Sequence, residues 1–355
     1  MAEGGGDGAI PVTGETYRTL DMHTAGEPVR IVTEGYPALP GATILEKRRH
    51  AQAKLDHIRR RLMLEPRGHA DMYGVIPVAP SHPEADLAVL FTHNSGYSTM
   101  CGHATIAIGR WAVEHKLVPV QRPLTIFNLE CPCGLVRVTV EVGETGTGEV
   151  TFESVPAFAS HLDLAVATER FGRVMLDIAF GGAFYAILPA SRIGLSMLET
   201  PLETLIHAGR EITAATRAEV VIEHPDAADL AFLYGTILTD DAAPAGPAPS
   251  LNLCIFGGGQ VDRSPTGSGV TARLALDHAR GFLPIGARRV FRGLTGEPFT
   301  GELLREARAG NRAAAIVRVG GRAYYSGTSS FVIEAEDPLR DGFPMPATLS
   351  ALAPR

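Results

Sequence analysis

The sequence predicts an α+β (mixed α/β) fold built from two pseudo-symmetric, β-rich halves, each around one central helix. Strand-like apolar runs outnumber helix-period segments and do not alternate with them strictly, which argues against a Rossmann sheet. Two short segments also look like a related pair: Met100-Cys101-Gly102-His103 and Asp262-Arg263-Ser264-Pro265-Thr266-Gly267-Ser268-Gly269. Each sets a small nucleophilic side chain before a Gly, at the opening of an Ala-rich apolar run, and the two lie close to half the chain apart. The length of 355 residues suits two domains, and a 45% hydrophobic content is ample for a sizeable core.

Strands are expected at 30–33, 86–93, 124–128, 135–142, 174–180, 184–188, 230–238, 251–256, 313–319 and 330–334, where β-branched and aromatic residues cluster between turn formers. A helix is expected over 43–62, with Leu45, Leu55, Ile58 and Leu62 on one face and Pro66 beyond its end. Gly102–Glu114 is apolar nearly all round and reads as a buried helix. The segment 201–218 is amphipathic, and Gly267–Ala279 repeats the apolar pattern of the Gly102 helix. The stretch 240–250 is a loop on its Pro, Ala and Gly content. The halves are placed at 17–172 and 173–325, with a terminal strand over 326–345 returning to the first half. The ends, 1–16 and 346–355, read as tails. Met1-Ala2-Glu3-Gly4 opens without the basic and apolar regions of a signal peptide.

Composition excludes several function classes. No window approaches the ~18–20 unbroken apolar residues of a membrane helix. The formal net charge is −7, so no nucleic-acid partner is expected. The basic run Lys47-Arg48-Arg49-His50 with Arg59-Arg60-Arg61 is expected to be a solvated helix face. Only Lys47, Lys54 and Lys116 are present against 29 arginines, and none is placed like the Schiff-base lysine a pyridoxal enzyme needs. Four cysteines do not make a disulfide scaffold, and Cys131-Pro132-Cys133 is too tight for a zinc knuckle. Cys131, Cys133 and Cys254 are read as structural, which fits a reduced, cytoplasmic setting. Gly267-Ser268-Gly269-Val270-Thr271-Ala272 formally fits G-x-G-x-x-A, but no strand leads straight into it, and Arg288 and Arg289 stand where an acid belongs.

The chemistry lies in the paired segments. A helix N-terminus offers unpaired N–H groups and about half a positive charge. Two of them facing across a cleft suit a carboxylate, with donors at Gly102, His103, Gly267 and Ser268. The same field is expected to lower the Cys101 pKa, making a thiolate base. Asp262 is placed to pair with a substrate ammonium. A Thr hydroxyl at Thr266 cannot act as a carbon acid's base near neutral pH, so a site built for two opposed bases retains one.

These motifs resemble those of the proline racemase family, which carries Met-Cys-Gly-His and Asp-Arg-Ser-Pro-Cys-Gly-Thr-Gly. Here Thr266 stands in place of the second Cys, and Ser268 in place of Thr. Similar stretches include Asp21-Met22-His23-Thr24-Ala25-Gly26-Glu27-Pro28 and Leu64-Glu65-Pro66-Arg67-Gly68-His69, where His23 and His69 are read as structural. The resemblance runs roughly from Thr19 to Phe343. It implies a fold like that of diaminopimelate epimerase, with the site between the halves and closing on substrate. It also implies no cofactor and no metal, backbone carboxylate donors at Gly102, His103, Gly267 and Ser268, and a ring nitrogen met by Asp262 and the His103 side chain.

The Cys101/Thr266 pair resembles the branch that dehydrates trans-3-hydroxy-L-proline to Δ1-pyrroline-2-carboxylate through an enamine. In that substrate the α-hydrogen and the 3-hydroxyl share a ring face, so one thiol can take the proton and return it to the departing hydroxide. Racemisation would need a second acid on the opposite face. Two other readings stand beside this one: a proline racemase or hydroxyproline 2-epimerase, and a non-catalytic amino-acid-binding protein. Retention of Cys101 favours an enzyme over the last. A homodimer is left open.

Overall fold

The computed structural model describes residues 13–345. The expected tail at 346–355 lies outside the described residues, as do residues 1–12 of the expected N-terminal tail. The first strand already begins at Glu15, inside that expected tail.

The strands β1 (Glu15–Thr24) and β2 (Glu27–Glu34) form an antiparallel hairpin, followed by helices α1 (Ile44–Lys54) and α2 (Asp56–Met63). Then come β3 (Tyr73–Val78), parallel to β2, and β4 (Leu87–His93) and β5 (Gly96–Ser98), each antiparallel to its predecessor. Helix α3 (Gly102–Glu114) leads to β6 (Leu124–Cys131), parallel to β4, and the meander closes with β7 (Gly134–Val142) and β8 (Thr147–Glu153).

The same order then repeats. Strands β9 (Phe158–Thr168), β10 (Gly172–Phe180) and β11 (Phe184–Pro189) are antiparallel, and α4 (Leu202–Glu219) precedes β12 (Leu233–Thr239), parallel to β11. Next are β13 (Ser250–Phe256) and β14 (Gln260–Val261), then α5 (Gly267–Ala279), then β15 (Arg288–Arg292), parallel to β13. Strands β16 (Pro298–Ala309) and β17 (Arg312–Gly321) complete the meander, and β17 pairs with β8 to join the repeats. The last strand, β18 (Ala323–Ile333), returns to pair with β1.

Element by element, β2, β3, β4, α3 and β6 correspond to β11, β12, β13, α5 and β15. In the first repeat β18 occupies the place that β9 holds in the second. The chain therefore crosses between repeats before β9, not at residue 172 where the sequence placed the change, because β9 pairs with β10. The returning strand likewise spans Ala323–Ile333, not 326–345.

Each central helix is buried because its sequence is apolar on every side. Eleven of the thirteen residues are buried in α3 and eleven of thirteen in α5. Fully burying a side chain such as Ile106 or Ile108 contributes about 1.5–3 kcal/mol. Arg273 and Asp277 in α5 are buried charged residues; Arg273 donates to Ser250 Oγ (2.8 Å) and Asn252 Oδ1 (2.7 Å) and stacks over Phe291.

Two expectations are corrected here. The helix over 43–62 is two helices. Thr43 and Glu46 form a capping box at the start, and at Leu55 (φ −124°, ψ 14°) the chain leaves helical geometry. The break lets Ile58, Leu62 and Met63 reach the same small core as Ile76, Ala88 and Leu90. The basic run is not a solvated face either. Lys47, Arg48, Arg59 and Arg61 are buried. Strand and loop ends supply carbonyls that need donors: Lys47 Nζ donates to Ala79 O (2.6 Å), Arg48 Nη2 to Tyr97 O (3.0 Å) and Arg59 Nη1 to His93 O (2.8 Å). Arg61 meets Glu15 and Asp341.

The two repeats also touch at the start of their central helices. A Cβ built on Gly102 would sit 2.4 Å from Gly267 Cα, and one built on Gly267 would sit 2.7 Å from Gly102 Cα. Both neighbours are backbone, which cannot turn aside. Gly102→Ala and Gly267→Ala are each expected to cost about 1–3 kcal/mol, as overpacking does. Gly327→Ala, with open space around it, is expected to stay within about 0.5 kcal/mol. Urea denaturation of the three variants checks this.

Candidate active site

The contact between Gly102 and Gly267 brings every expected site residue together. Cys101, Gly102, His103, Asp262, Thr266, Gly267 and Ser268 all line one narrow cavity of about 20 Å³, room for a single water. A far larger groove beside the Cys131–Gly134 turn holds neither Cys101 nor Thr266.

The two helix starts are built differently. Cys101 is an ordinary N-cap (φ −146°, ψ 112°), and its Sγ accepts from Ala104 N at 3.4 Å. Thr266 has φ 63° and ψ 92°, a left-handed conformation rare for a β-branched residue and costing of order 1–3 kcal/mol. It is held there by Thr266 N donating to Ser264 Oγ (3.1 Å) and Asn252 Nδ2 donating to the Pro265 carbonyl (2.9 Å). Its Oγ1 caps nothing and is buried without a partner. The N–H groups of Gly102, His103, Gly267 and Ser268 occupy first-turn positions, which have no acceptor within their own helix.

Two carboxyls sit beside these donors. Asp262 is buried and accepts from Ser264 N (2.7 Å), and burial pushes its pKa up to about 6. Glu27, at the start of β2, is fully buried; its Oε2 accepts from Arg263 N (2.7 Å), and its Oε1 has no partner. Burial and the neighbouring Asp262 carboxylate raise Glu27 well above the usual range. Asp262 is the more readily ionised of the two, and the Arg263 guanidinium lies 3.7 Å from Glu27 Oε2.

The Cys101 thiol departs from its expectation. Burial pushes its pKa up, outweighing the Ala104 N–H that favours the thiolate, and the Asp262 and Glu27 charges add to the rise. The helix field was legible in the sequence; the desolvation was not. The His103 ring lies against the thiol, with Nδ1 3.1 Å from Sγ. Burial lowers its pKa to about 3, so the imidazole is neutral.

Several wall residues carry no motif and were missed. Tyr73, Tyr185 and Tyr234 line the cavity from β3, β11 and β12, with Phe256 and Cys254 from β13. Cys254, expected to be purely structural, is thus also part of the wall. The Tyr185 hydroxyl bonds Ser268 Oγ at 2.7 Å. One signal could have found two of them: Tyr73-Gly74 and Tyr234-Gly235 stand near the starts of the corresponding strands β3 and β12. His23 and His69 do not line the cavity; His23 stacks on Tyr324, and His69 bonds the Ala70 carbonyl. All four cysteines are free thiols. Among the described residues, no cluster of three or more His, Cys, Asp or Glu could hold a metal, and no helix is long and apolar enough to cross a membrane.

The arrangement offers fixed N–H donors for a carboxylate, a charged buried acid for an ammonium, and one thiol against one hydroxyl. Comparison with known proteins gives the family. The family model described as proline racemase matches residues 19–344. The trans-3-hydroxy-L-proline dehydratase of Homo sapiens is 52% identical over 330 residues, covering 91% of this chain and 93% of that protein. The 3-hydroxyproline 2-epimerase of Burkholderia multivorans is 42% identical over 326 residues, covering 92% and 97%. The crystal structure of a hydroxyproline epimerase from Agrobacterium vitis, with bound trans-4-hydroxy-L-proline, superposes with a TM-score of 0.87 at 28% identity. It covers 93% of this chain and 94% of that one.

Binding of the L-proline zwitterion is expected to weaken as pH falls through about 6, because Asp262 becomes protonated below that value. Calorimetric titrations between pH 5 and 8 check this (the range brackets the raised pKa). Asp262→Asn should bind weakly throughout and show no such step.

Proposed function

This chain belongs to the proline racemase family, and we propose that within it the protein is a hydro-lyase that removes water from trans-3-hydroxy-L-proline. The product is Δ1-pyrroline-2-carboxylate, formed by tautomerisation of the enamine first released. The observation that carries this reading is the pairing of a thiol at Cys101 with a hydroxyl at Thr266, on helix N-termini that face each other in one cavity.

The substrate carboxylate is held by the N–H groups of Gly102, His103, Gly267 and Ser268, which also accept charge as it develops at the α-carbon. The Asp262 carboxylate meets the ring ammonium. The Cys101 thiolate takes the α-proton; the C–H electrons form the C2–C3 double bond, and the C3–O electrons leave with the oxygen. The thiol's proton then completes the water. Thr266 has no proton-transfer role and marks the face where a racemase needs a second thiol.

The upward shift of Cys101 suits this chemistry. A cavity with room for a single water must open to admit substrate, and in the hydrated cleft the helix N-terminus favours the thiolate. Closure then removes water from the thiolate and makes it a stronger base toward a weakly acidic carbon. The free thiols also suit a reducing, cytoplasmic setting.

The epimerase relative keeps a second reading in view, and the two separate in D₂O. Wild type is expected to eliminate water from trans-3-hydroxy-L-proline and not to interconvert L- and D-proline, followed by proton NMR and polarimetry. Interconversion at a rate comparable with dehydration would replace the hydro-lyase reading by the racemase one. Cys101→Ser should fold and bind L-proline, yet lose at least ~10² in turnover, the low end of general-base contributions. Thr266→Cys is expected to gain measurable proline racemisation. Activity should survive exhaustive dialysis against EDTA.

A further inference from the structure

The departing hydroxide is a poor leaving group and needs a hydrogen-bond donor on the ring face where Cys101 works. Among the described residues, the buried side-chain hydroxyls without a partner that line the cavity belong to Tyr73 and Thr266. Thr266 opens α5, opposite Cys101, and so lies on the wrong face. Tyr185 has already committed its hydroxyl to Ser268 at 2.7 Å. Tyr73 is on the first repeat with Cys101, and its ring meets the His103 ring edge-on at 4.8 Å between centroids. A buried hydroxyl left unpaired is costly, and such a group is retained where a ligand will complete it.

We propose that the Tyr73 hydroxyl is a catalytic residue that donates to the leaving 3-hydroxyl and relays to it the proton taken up by Cys101. This rests on the hydro-lyase reading. As the C3–O bond breaks, the phenolic proton moves to the departing oxygen and the Cys101 thiol proton moves to the phenolic oxygen. Water leaves, and the thiolate and the phenol are both restored. Burial and the neighbouring Cys101 push the Tyr73 phenol well above its ordinary range, so it is a protonated donor throughout the working pH range.

The test compares two leaving groups in Tyr73→Phe. One substrate is trans-3-hydroxy-L-proline; the other is L-proline with fluorine in the hydroxyl's place and configuration, whose fluoride leaves without a proton. The variant is expected to melt at or above the wild-type temperature, since it loses only an unpaired hydroxyl. It should lose at least ~10² in water elimination, while fluoride release and L-proline binding stay near wild type. Undiminished water elimination, or equal loss with both leaving groups, would overturn the relay. A wild-type chain that eliminates neither group would instead overturn the hydro-lyase reading on which the relay rests.

Discussion

The contact between Gly102 and Gly267 is the constraint on which the rest of the molecule depends. Two buried helices meet end to end, backbone against backbone, with no room for a Cβ on either side. Their positive ends point at one another, so the junction is electrostatically incomplete. Asp262 offsets part of that field from within the chain, and an anion bound there would offset the rest. The same junction sets Cys101 and Thr266 on opposite sides of the cavity, because each is the residue just before the contact. Binding and chemistry therefore share one geometric origin.

Burial is the second determinant, and it acts on each group according to its neighbours. It raises both Asp262 and Glu27, and raises Glu27 further because Glu27 also faces the Asp262 charge. It neutralises His103 and raises Cys101. A cavity of this kind gains catalytic power from the water it excludes, since fixed dipoles act more strongly where the dielectric is low. The strained Thr266 backbone belongs to the same design. It turns the side chain away from capping α5 and leaves its hydroxyl facing the cavity.

Much of this was legible in the residues. Both central helices begin and end where their apolar patterns do, at Gly102–Glu114 and Gly267–Ala279. All seven expected site residues share one cavity, because motifs at helix starts are local and the topology brings the two starts together. What was not legible depends on partners distant in sequence. The strand β16 reads Glu302-Leu303-Leu304-Arg305-Glu306, a helix-like composition that only pairing with β15 and β17 makes extended. The buried cations Lys47 and Arg48 look like surface charges until the carbonyls of Ala79 and Tyr97 arrive beside them. Tyr73, Tyr185 and Tyr234 come from three separate strands, and only the Tyr-Gly pair shared by Tyr73 and Tyr234 hints at any of them.

The exchange of end strands has a consequence for how the chain is made. The second repeat, β9 to β17, holds all of its own strands once Gly321 has been synthesised. The first repeat was begun much earlier, but its β1 edge stays open until β18 emerges. An unpaired strand edge is a template for unwanted pairing. On the ribosome, then, the half that carries the thiol is translated first and finished last. The strand β18, Ala323–Ile333, is what seals it.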